Sequence, residues 1–177
     1  MRSSFALAPS RGSAERRRRV DFFFHEYLDP LSCLLEVGRP EGALEPYLRE
    51  AGFHRYTRLD REPPADLVGE LRAWRELGLE AASFDLVIVF DLQAWTDGSR
   101  ACLDLLTPGG LLFATAPLPG RAPLARALAA LGLAPPLSRA PVLATVDLAR
   151  LPGFEPLAVR HRGFVEQWAR LRKPLAP

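Results

Sequence analysis

The chain is short of several residue types, and each shortage excludes a class of protein. Its 177 residues include two cysteines and three histidines. The cysteines, Cys33 and Cys102, form no Cys-x-x-Cys pair, and the histidines are not clustered. The pattern therefore favours neither a disulfide framework nor a metal site. We expect a reduced, cytoplasmic protein that holds no metal.

Long apolar runs and a surplus of one charge are missing as well. The apolar stretch at residues 20–31 is interrupted by Asp21, Glu26 and Asp29, so it predicts neither a signal peptide nor a membrane anchor. The net charge of +2 is too small to indicate a nucleic-acid partner. Arginine outnumbers lysine by 22 to 1, which GC-rich coding explains, and the cluster at residues 16–19 fits a solvated helix turn.

Three nucleotide-binding or catalytic motifs are also absent. The chain has no Gly-x-Gly-x-x-Gly, no Gly-Lys-Ser/Thr and no Gly-x-Ser-x-Gly. These absences count against a nicotinamide site, a phosphate-binding loop and a serine hydrolase, respectively.

What is present predicts one globular domain. With 48% hydrophobic and 25% charged residues, the chain can bury a sizeable core. Residues 1–13, rich in Ser, Gly, Ala and Arg, are expected to be disordered, and residues 14–177 to form the domain, beginning with a helix at residues 14–27.

Strand and helix patterns alternate along this domain. Residues 66–71 fit either a short third strand or part of a helix, because apolar residues recur at helical spacing across residues 67–77. The alternation predicts a doubly wound, mostly parallel sheet with helices on both faces. The predicted elements are strands at residues 32–37, 55–60, 84–90 and 111–116, helices at 42–51 and 98–106, and a turn at 107–110.

The most informative motif is the first strand and its loop. Residues 34–42 read Leu-Leu-Glu-Val-Gly-Arg-Pro-Glu-Gly, and Asp60 ends the second strand eighteen residues after Gly42. A glycine-containing loop after the first strand and an acidic residue at the end of the second are typical of a nucleotide-cofactor site. The carboxylate there can accept hydrogen bonds from ribose hydroxyl groups.

Residues 34–117 resemble a class I S-adenosylmethionine-dependent methyltransferase. The landmarks are Leu-Leu-Glu-Val-Gly, Asp60, Ser-Phe-Asp-Leu-Val at residues 83–87 and Leu-Leu-Thr-Pro-Gly-Gly-Leu-Leu at residues 105–112. Residues 153–173 are similar to the antiparallel hairpin that ends the sheet of that family. The resemblance implies a methyltransferase-like Rossmann fold with S-adenosyl-L-methionine as the cofactor.

The resemblance also implies site residues near the first two strands. Gly38 and Gly42 would let the loop approach the cofactor, and Glu36 would hold the loop or the cofactor's ammonium group. Asp60 would accept both ribose hydroxyls. Glu36 could instead be an ion-pair or helix-capping residue.

Further residues would complete the site. Glu70 would lie near the adenine, and Leu71 could pack on its ring. Phe90 and Asp91, after the fourth strand, would face the sulfonium and the substrate, although Asp91 could also be a cap or ion-pair residue.

The loop departs from the family's pattern at one point. Pro40 stands where the family has its middle glycine, and it removes a backbone N–H and pushes Arg39 toward extended conformations. Arg39 could compensate by pairing with the cofactor's carboxylate.

No catalytic base is identified. Methyl transfer needs mainly alignment and exclusion of water, so this silence decides little. Residues 91–97 lack the Asn/Asp-Pro-Pro-aromatic pattern of enzymes that methylate amino groups of nucleic acid or protein, and Trp95 fits a core position better than a stacking one.

Two hypotheses follow. The chain is either a methyltransferase with an unidentified acceptor, expected to be a small molecule, or a methyltransferase-like domain that has lost the cofactor and binds a protein partner. Gly38, Gly42 and Asp60 favour the enzyme, whereas Pro40 favours the binding module.

Overall fold

The computed structural model describes residues 29–38, 45–50, 52–118, 123, 124, 127, 131, 146–162 and 166–175. The disordered segment predicted at residues 1–13 and the helix predicted at residues 14–27 lie outside these ranges. The assignment of residues 14–177 to one domain stays a prediction.

The described part of the chain forms a seven-stranded sheet in the order β3-β2-β1-β4-β5-β7-β6. Strands β1 to β5 run parallel, whereas β7 is antiparallel to both β5 and β6. This confirms the predicted mostly parallel sheet with a C-terminal antiparallel hairpin. The strands are β1 (Leu34–Val37), β2 (Tyr56–Asp60), β3 (Leu67–Val68), β4 (Phe84–Val89), β5 (Leu106–Pro117), β6 (Glu155–Arg162) and β7 (Glu166–Arg172).

Helices cover both faces of this sheet, as predicted. Helix α1 (Glu45–Glu50) packs Leu48 on one face, in a cluster with Leu34 of β1. Helix α2 (Gly98–Leu105) packs Leu105 on the other face, in a cluster with Leu35. Because neighbouring residues of β1 enter opposite clusters, the strand is apolar without interruption except at Glu36. Short 3₁₀ turns lie at Leu71–Ala73, Leu92–Ala94 and Leu148–Arg150.

The ambiguous region between β2 and β4 contains the short third strand. Leu67 pairs with Leu59 of β2, and Val68 pairs with Asp60. The strand ends there, and residues 71–73 form a 3₁₀ turn rather than a longer helix.

The turn predicted at residues 107–110 is wrong, because these residues belong to β5. The register of β4 with β5 shifts here, so that Phe84 pairs with Leu106 and Leu86 pairs with Leu111. Gly109, at φ +78°, donates its N–H to the Lys173 carbonyl at 3.0 Å, and the Lys173 N–H returns a bond to Gly110 at 2.9 Å. The glycine pair thus forms an irregularity inside the strand. The residue that follows β7, Lys173, supplies its hydrogen bonds.

The single lysine of the chain is predicted to stabilise the end of α2. The Lys173 ammonium group donates to the carbonyl of Leu103 at 2.8 Å and to that of Leu106 at 2.6 Å. Positive charge at a helix C-terminus and charge-assisted hydrogen bonds are both stabilising. We expect Lys173→Met to lower the free energy of unfolding by about 1.5 kcal/mol, measured by urea denaturation. Lys173→Arg, which keeps the charge, should lose less, and equal losses in both variants would contradict this role.

Cys33 and Cys102 are both free thiols. Cys102 lies wholly inside the core, where burial raises the pKa of its thiol, so the group stays protonated. None of the helices in the described ranges has the length and apolarity needed to cross a bilayer.

Candidate functional site

The candidate site lies at the carboxyl ends of β2, β1 and β4, where the strand order reverses. In open α/β sheets, ligands bind in the crevice at this switch point. Gly38 follows β1 with φ +95°, a conformation that L side chains rarely adopt. A Cβ atom at this position would come within 3.1 Å of the Phe90 carbonyl oxygen. Only glycine therefore allows both this conformation and the close contact between the loop and the end of β4.

Asp60 ends β2 beside Gly38, and its carboxylate is buried. One oxygen, Oδ1, accepts the Arg61 backbone N–H at 2.6 Å. The other, Oδ2, has no hydrogen-bond donor within the described residues and lies 4.0 Å from the Arg58 guanidinium. A buried carboxylate oxygen is costly to leave without a donor. Asp60 thus keeps one buried acceptor without a donor, in the part of the chain that the structure describes, at the edge of this crevice.

Arg61 connects the ends of β2 and β4. Its Nε and Nη2 atoms donate to the two carboxylate oxygens of Glu70, at 2.6 and 3.0 Å. Nη2 also donates to the Ala94 carbonyl at 2.6 Å, and the guanidinium carbon lies 4.4 Å from the centre of the Trp95 ring. Glu70 follows β3, so this one side chain joins three parts of the edge.

Glu36 is fully buried in β1 and accepts a hydrogen bond at Oε2 from the Tyr56 hydroxyl of β2. The bond fixes the carboxylate beside the first strand. The proposed contact of Glu36 with the loop or with an ammonium group stays a prediction.

Phe90 and Asp91 follow β4. Phe90 packs edge-to-face on Phe113, with ring centres 6.2 Å apart. Asp91 adopts a left-handed conformation, φ 59° and ψ 59°, which aspartate tolerates better than most residues. Its N–H donates to the Thr115 hydroxyl of β5 at 3.0 Å. The left-handed backbone at Asp91 and its hydrogen bond to Thr115 form the turn after β4 at the edge of the crevice.

The structure brings together most of the residues that the sequence singled out. Glu36, Gly38 and Asp60 lie on adjacent strands, and Phe90 and Asp91 follow the next strand of the sheet. Leu71 is fully buried in the core cluster and presents no surface to a ring. Arg39, Pro40 and Gly42 lie outside the described residues.

Two residues at this edge carry more than the sequence indicated. Arg61 was not singled out, and its position directly after Asp60 is the one signal that could have pointed to it. Trp95 is almost fully buried, as expected of a core residue, yet its indole also contacts Arg61.

No family model matches the chain, and no curated protein does. Solved structures are similar over nearly the whole chain. A proposed sarcosine dimethylglycine methyltransferase from Galdieria sulphuraria aligns with a TM-score of 0.65 and 12% identity, covering 92% of this chain and 86% of that one. The N-methyltransferase NodS of Bradyrhizobium japonicum, in complex with S-adenosyl-L-homocysteine, gives 0.56 and 17%, covering 96% and 91%. The cyclase SpnF gives 0.62 and 15%, covering 98% and 86%.

The chain has the class I methyltransferase fold. The strand order and the antiparallel pair β6–β7 agree with this assignment. At 12% to 17% identity, the neighbours establish the methyltransferase fold and leave the reaction to be argued from the site.

Proposed function

We propose that the protein is an S-adenosylmethionine-dependent methyltransferase that acts on an unidentified small-molecule acceptor. The observation that carries the proposal is the buried Oδ2 of Asp60, which lacks a donor within the described residues at the switch point of the sheet. Vicinal ribose hydroxyls would supply the missing hydrogen bonds to this carboxylate.

The surrounding residues suit the same ligand. Gly38, with its positive φ, is proposed to shape the loop after β1 so that its backbone faces the cofactor. Glu70 is placed after β3 on the side where the adenine would lie, and Phe90 and Asp91 border the side toward β4. Glu36 is proposed to hold the loop or the cofactor's ammonium group, Arg39 to pair with the cofactor's carboxylate, and Gly42 to belong to the cofactor-binding loop. NodS, which shares the fold, has been determined with S-adenosyl-L-homocysteine, and this supports the choice of cofactor.

The chemistry asks little of the protein's own acids and bases. When bound, S-adenosylmethionine supplies an activated methyl group for in-line displacement. The chain contributes by orienting the two reactants and excluding water. The proposed reaction therefore does not require a strong acid or base from the chain.

One observation favours the second candidate, a methyltransferase-like binding module without a cofactor. Arg61 and Trp95 lie together at the end of the crevice nearest Gly38, and the Trp95 indole nitrogen is 3.7 Å from where a Cβ of Gly38 would stand. In this second candidate, a protein partner would take the place of the methyl acceptor. The two candidates differ in whether the crevice binds the cofactor at all.

Thermal unfolding with and without S-adenosylhomocysteine tests the proposal. Ligand at a hundred times its dissociation constant stabilises the native state by about 2.7 kcal/mol, which raises the Tm of a domain this size by roughly 5–10 °C. Homocysteine, which lacks the nucleoside, is the matched control and should give no shift. No shift and no calorimetric heat at millimolar S-adenosylhomocysteine would contradict the enzyme and favour the binding module.

A saturable shift would justify an acceptor search. S-adenosylmethionine with a labelled methyl group, incubated with the protein and small-molecule fractions, should transfer the label to one acceptor. Transfer that is lost in Asp60→Ala would identify the reaction with this site.

A further inference from the structure

We propose that Arg61, Glu70 and Trp95 form a latch that closes the crevice in the ligand-free protein and opens when the nucleoside of the cofactor enters. The inference rests on the proposed function of this crevice. It adds a step of control by the chain's own side chains to cofactor binding.

Within the latch, the Arg61 guanidinium is hydrogen-bonded along its edge and stacked on one face. Glu70 accepts two hydrogen bonds on one edge, and the Ala94 carbonyl accepts a third. The Trp95 ring covers the face at 4.4 Å, within the range of a cation–π contact. All of these partners come from the chain itself.

The course of Arg61 takes it across the crevice. Its backbone follows β2, whereas Ala94 and Trp95 follow β4, and β1 lies between these two strands in the sheet. A side chain that joins them must pass the carboxyl end of β1, where Gly38 is. The Trp95 indole nitrogen lies 3.7 Å from the position of a Gly38 Cβ, so the latch stands against the glycine that would approach the cofactor.

The same latch is built to open. The side chains of Arg61 and Glu70 are 31% and 37% exposed, so water can replace their ion pair at low cost. Ala94 and Trp95 are buried in the core cluster, so they stay in place when the latch opens. Opening therefore needs only the Arg61 side chain to move, which leaves the sheet undisturbed.

The nucleoside and the latch compete for the same groups. If Glu70 recognises the adenine, it cannot also hold both donors of Arg61. The apparent affinity for the cofactor is then the intrinsic affinity multiplied by the fraction of open protein. With one partly exposed ion pair, one carbonyl bond and one cation–π contact to break, we expect a closed-to-open ratio of about ten.

The test compares Arg61→Gln with wild type in calorimetric titrations with S-adenosylhomocysteine. Arg61→Gln removes the latch and should bind about tenfold more tightly. Arg75→Gln is the matched control, because Arg75 stacks at 4.1 Å on Trp74 and faces Asp104 at 3.9 Å, the same chemistry away from the crevice. The control should leave the affinity unchanged. Circular dichroism confirms that both variants are folded.

A second readout follows the latch directly. The probe is the indole N–H resonance of Trp95, which a Trp95→Phe variant assigns. This resonance should differ between ligand-free Arg61→Gln and ligand-free wild type. It should move in the same direction when wild type binds S-adenosylhomocysteine.

Three outcomes separate the claims. Binding by Arg61→Gln that is about tenfold tighter than binding by wild type supports the latch. Equal or weaker binding overturns the latch and leaves the cofactor site standing. No binding by either protein at millimolar ligand overturns the proposed function, and the latch as a gate falls with it.

Discussion

Replacing Asp60 with alanine is expected to weaken the binding of S-adenosylhomocysteine by at least about 100-fold. In the proposed complex the carboxylate accepts both ribose hydroxyls, and hydrogen bonds to charged groups contribute roughly 1.5–3 kcal/mol each. The ligand-free protein loses the Arg61 N–H bond to Oδ1, whereas Oδ2 has no donor within the described residues to give up. Calorimetric titration of both proteins measures the effect on binding, and the free energy of unfolding should fall by about 1–3 kcal/mol.

Two matched variants sharpen this prediction. Asp60→Asn keeps the oxygen that accepts the Arg61 N–H but replaces Oδ2 with an NH₂ donor, so it should weaken binding nearly as much as Asp60→Ala. Asp104→Ala removes a more exposed carboxylate outside the crevice and should bind normally. Asp60→Ala binding within about threefold of wild type would show that the nucleoside does not use this carboxylate.

Gln167→Leu is expected to give the largest loss of stability, about 3 kcal/mol or more. The Gln167 amide is buried in β7 and donates to the carbonyls of Pro117 and Val146, while its oxygen accepts the Leu148 N–H at 3.1 Å. Leucine fills the space but leaves three backbone groups without partners, at roughly 1–3 kcal/mol each. For a domain this size, the Tm should fall by roughly 6–12 °C.

The matched control for Gln167→Leu lies on the neighbouring strand. Glu155 of β6 is exposed, and replacing it with leucine should change the free energy of unfolding by no more than about 0.5 kcal/mol. Urea denaturation of both variants makes the comparison. If Gln167→Leu proved as stable as Glu155→Leu, the buried amide would not hold the three segments together.

The sheet was predictable because its strands obey simple pattern rules. Strand β4 is apolar without interruption apart from Asp85, as expected of a strand covered on both faces, and the structure buries nearly all of it. Residues 107–110 misled the prediction because Pro and Gly usually mark turns. Their place inside β5 depends on Lys173, which is more than sixty residues away, and no local pattern reveals such a partner.

The same contrast holds at the site. The positions of Gly38 and Asp60 follow from the rule that parallel strands end at one edge, so the sequence could place both. The contacts of Arg61 could not be predicted, because they depend on the course of one flexible side chain over two neighbouring strands. The family resemblance implies that Leu71 could pack on the adenine ring, but the 3₁₀ turn directs this side chain into the core.

The fold leaves the reaction open, since its solved neighbours include proteins named as methyltransferases and one named as a cyclase. What this chain adds is a buried carboxylate oxygen of Asp60 that has no donor in the described residues, and a glycine at position 38 whose positive φ shapes the loop after β1. These two features support the proposed position of the cofactor, whichever molecule accepts the methyl group.

The most direct measurement is a crystal structure of the protein grown with S-adenosylhomocysteine. We predict the ribose hydroxyls at about 2.6–3.0 Å from the Asp60 carboxylate, with the Arg61 side chain withdrawn from Ala94. A nucleoside bound elsewhere on the surface, with Asp60 still buried and Arg61 still in place, would contradict the account.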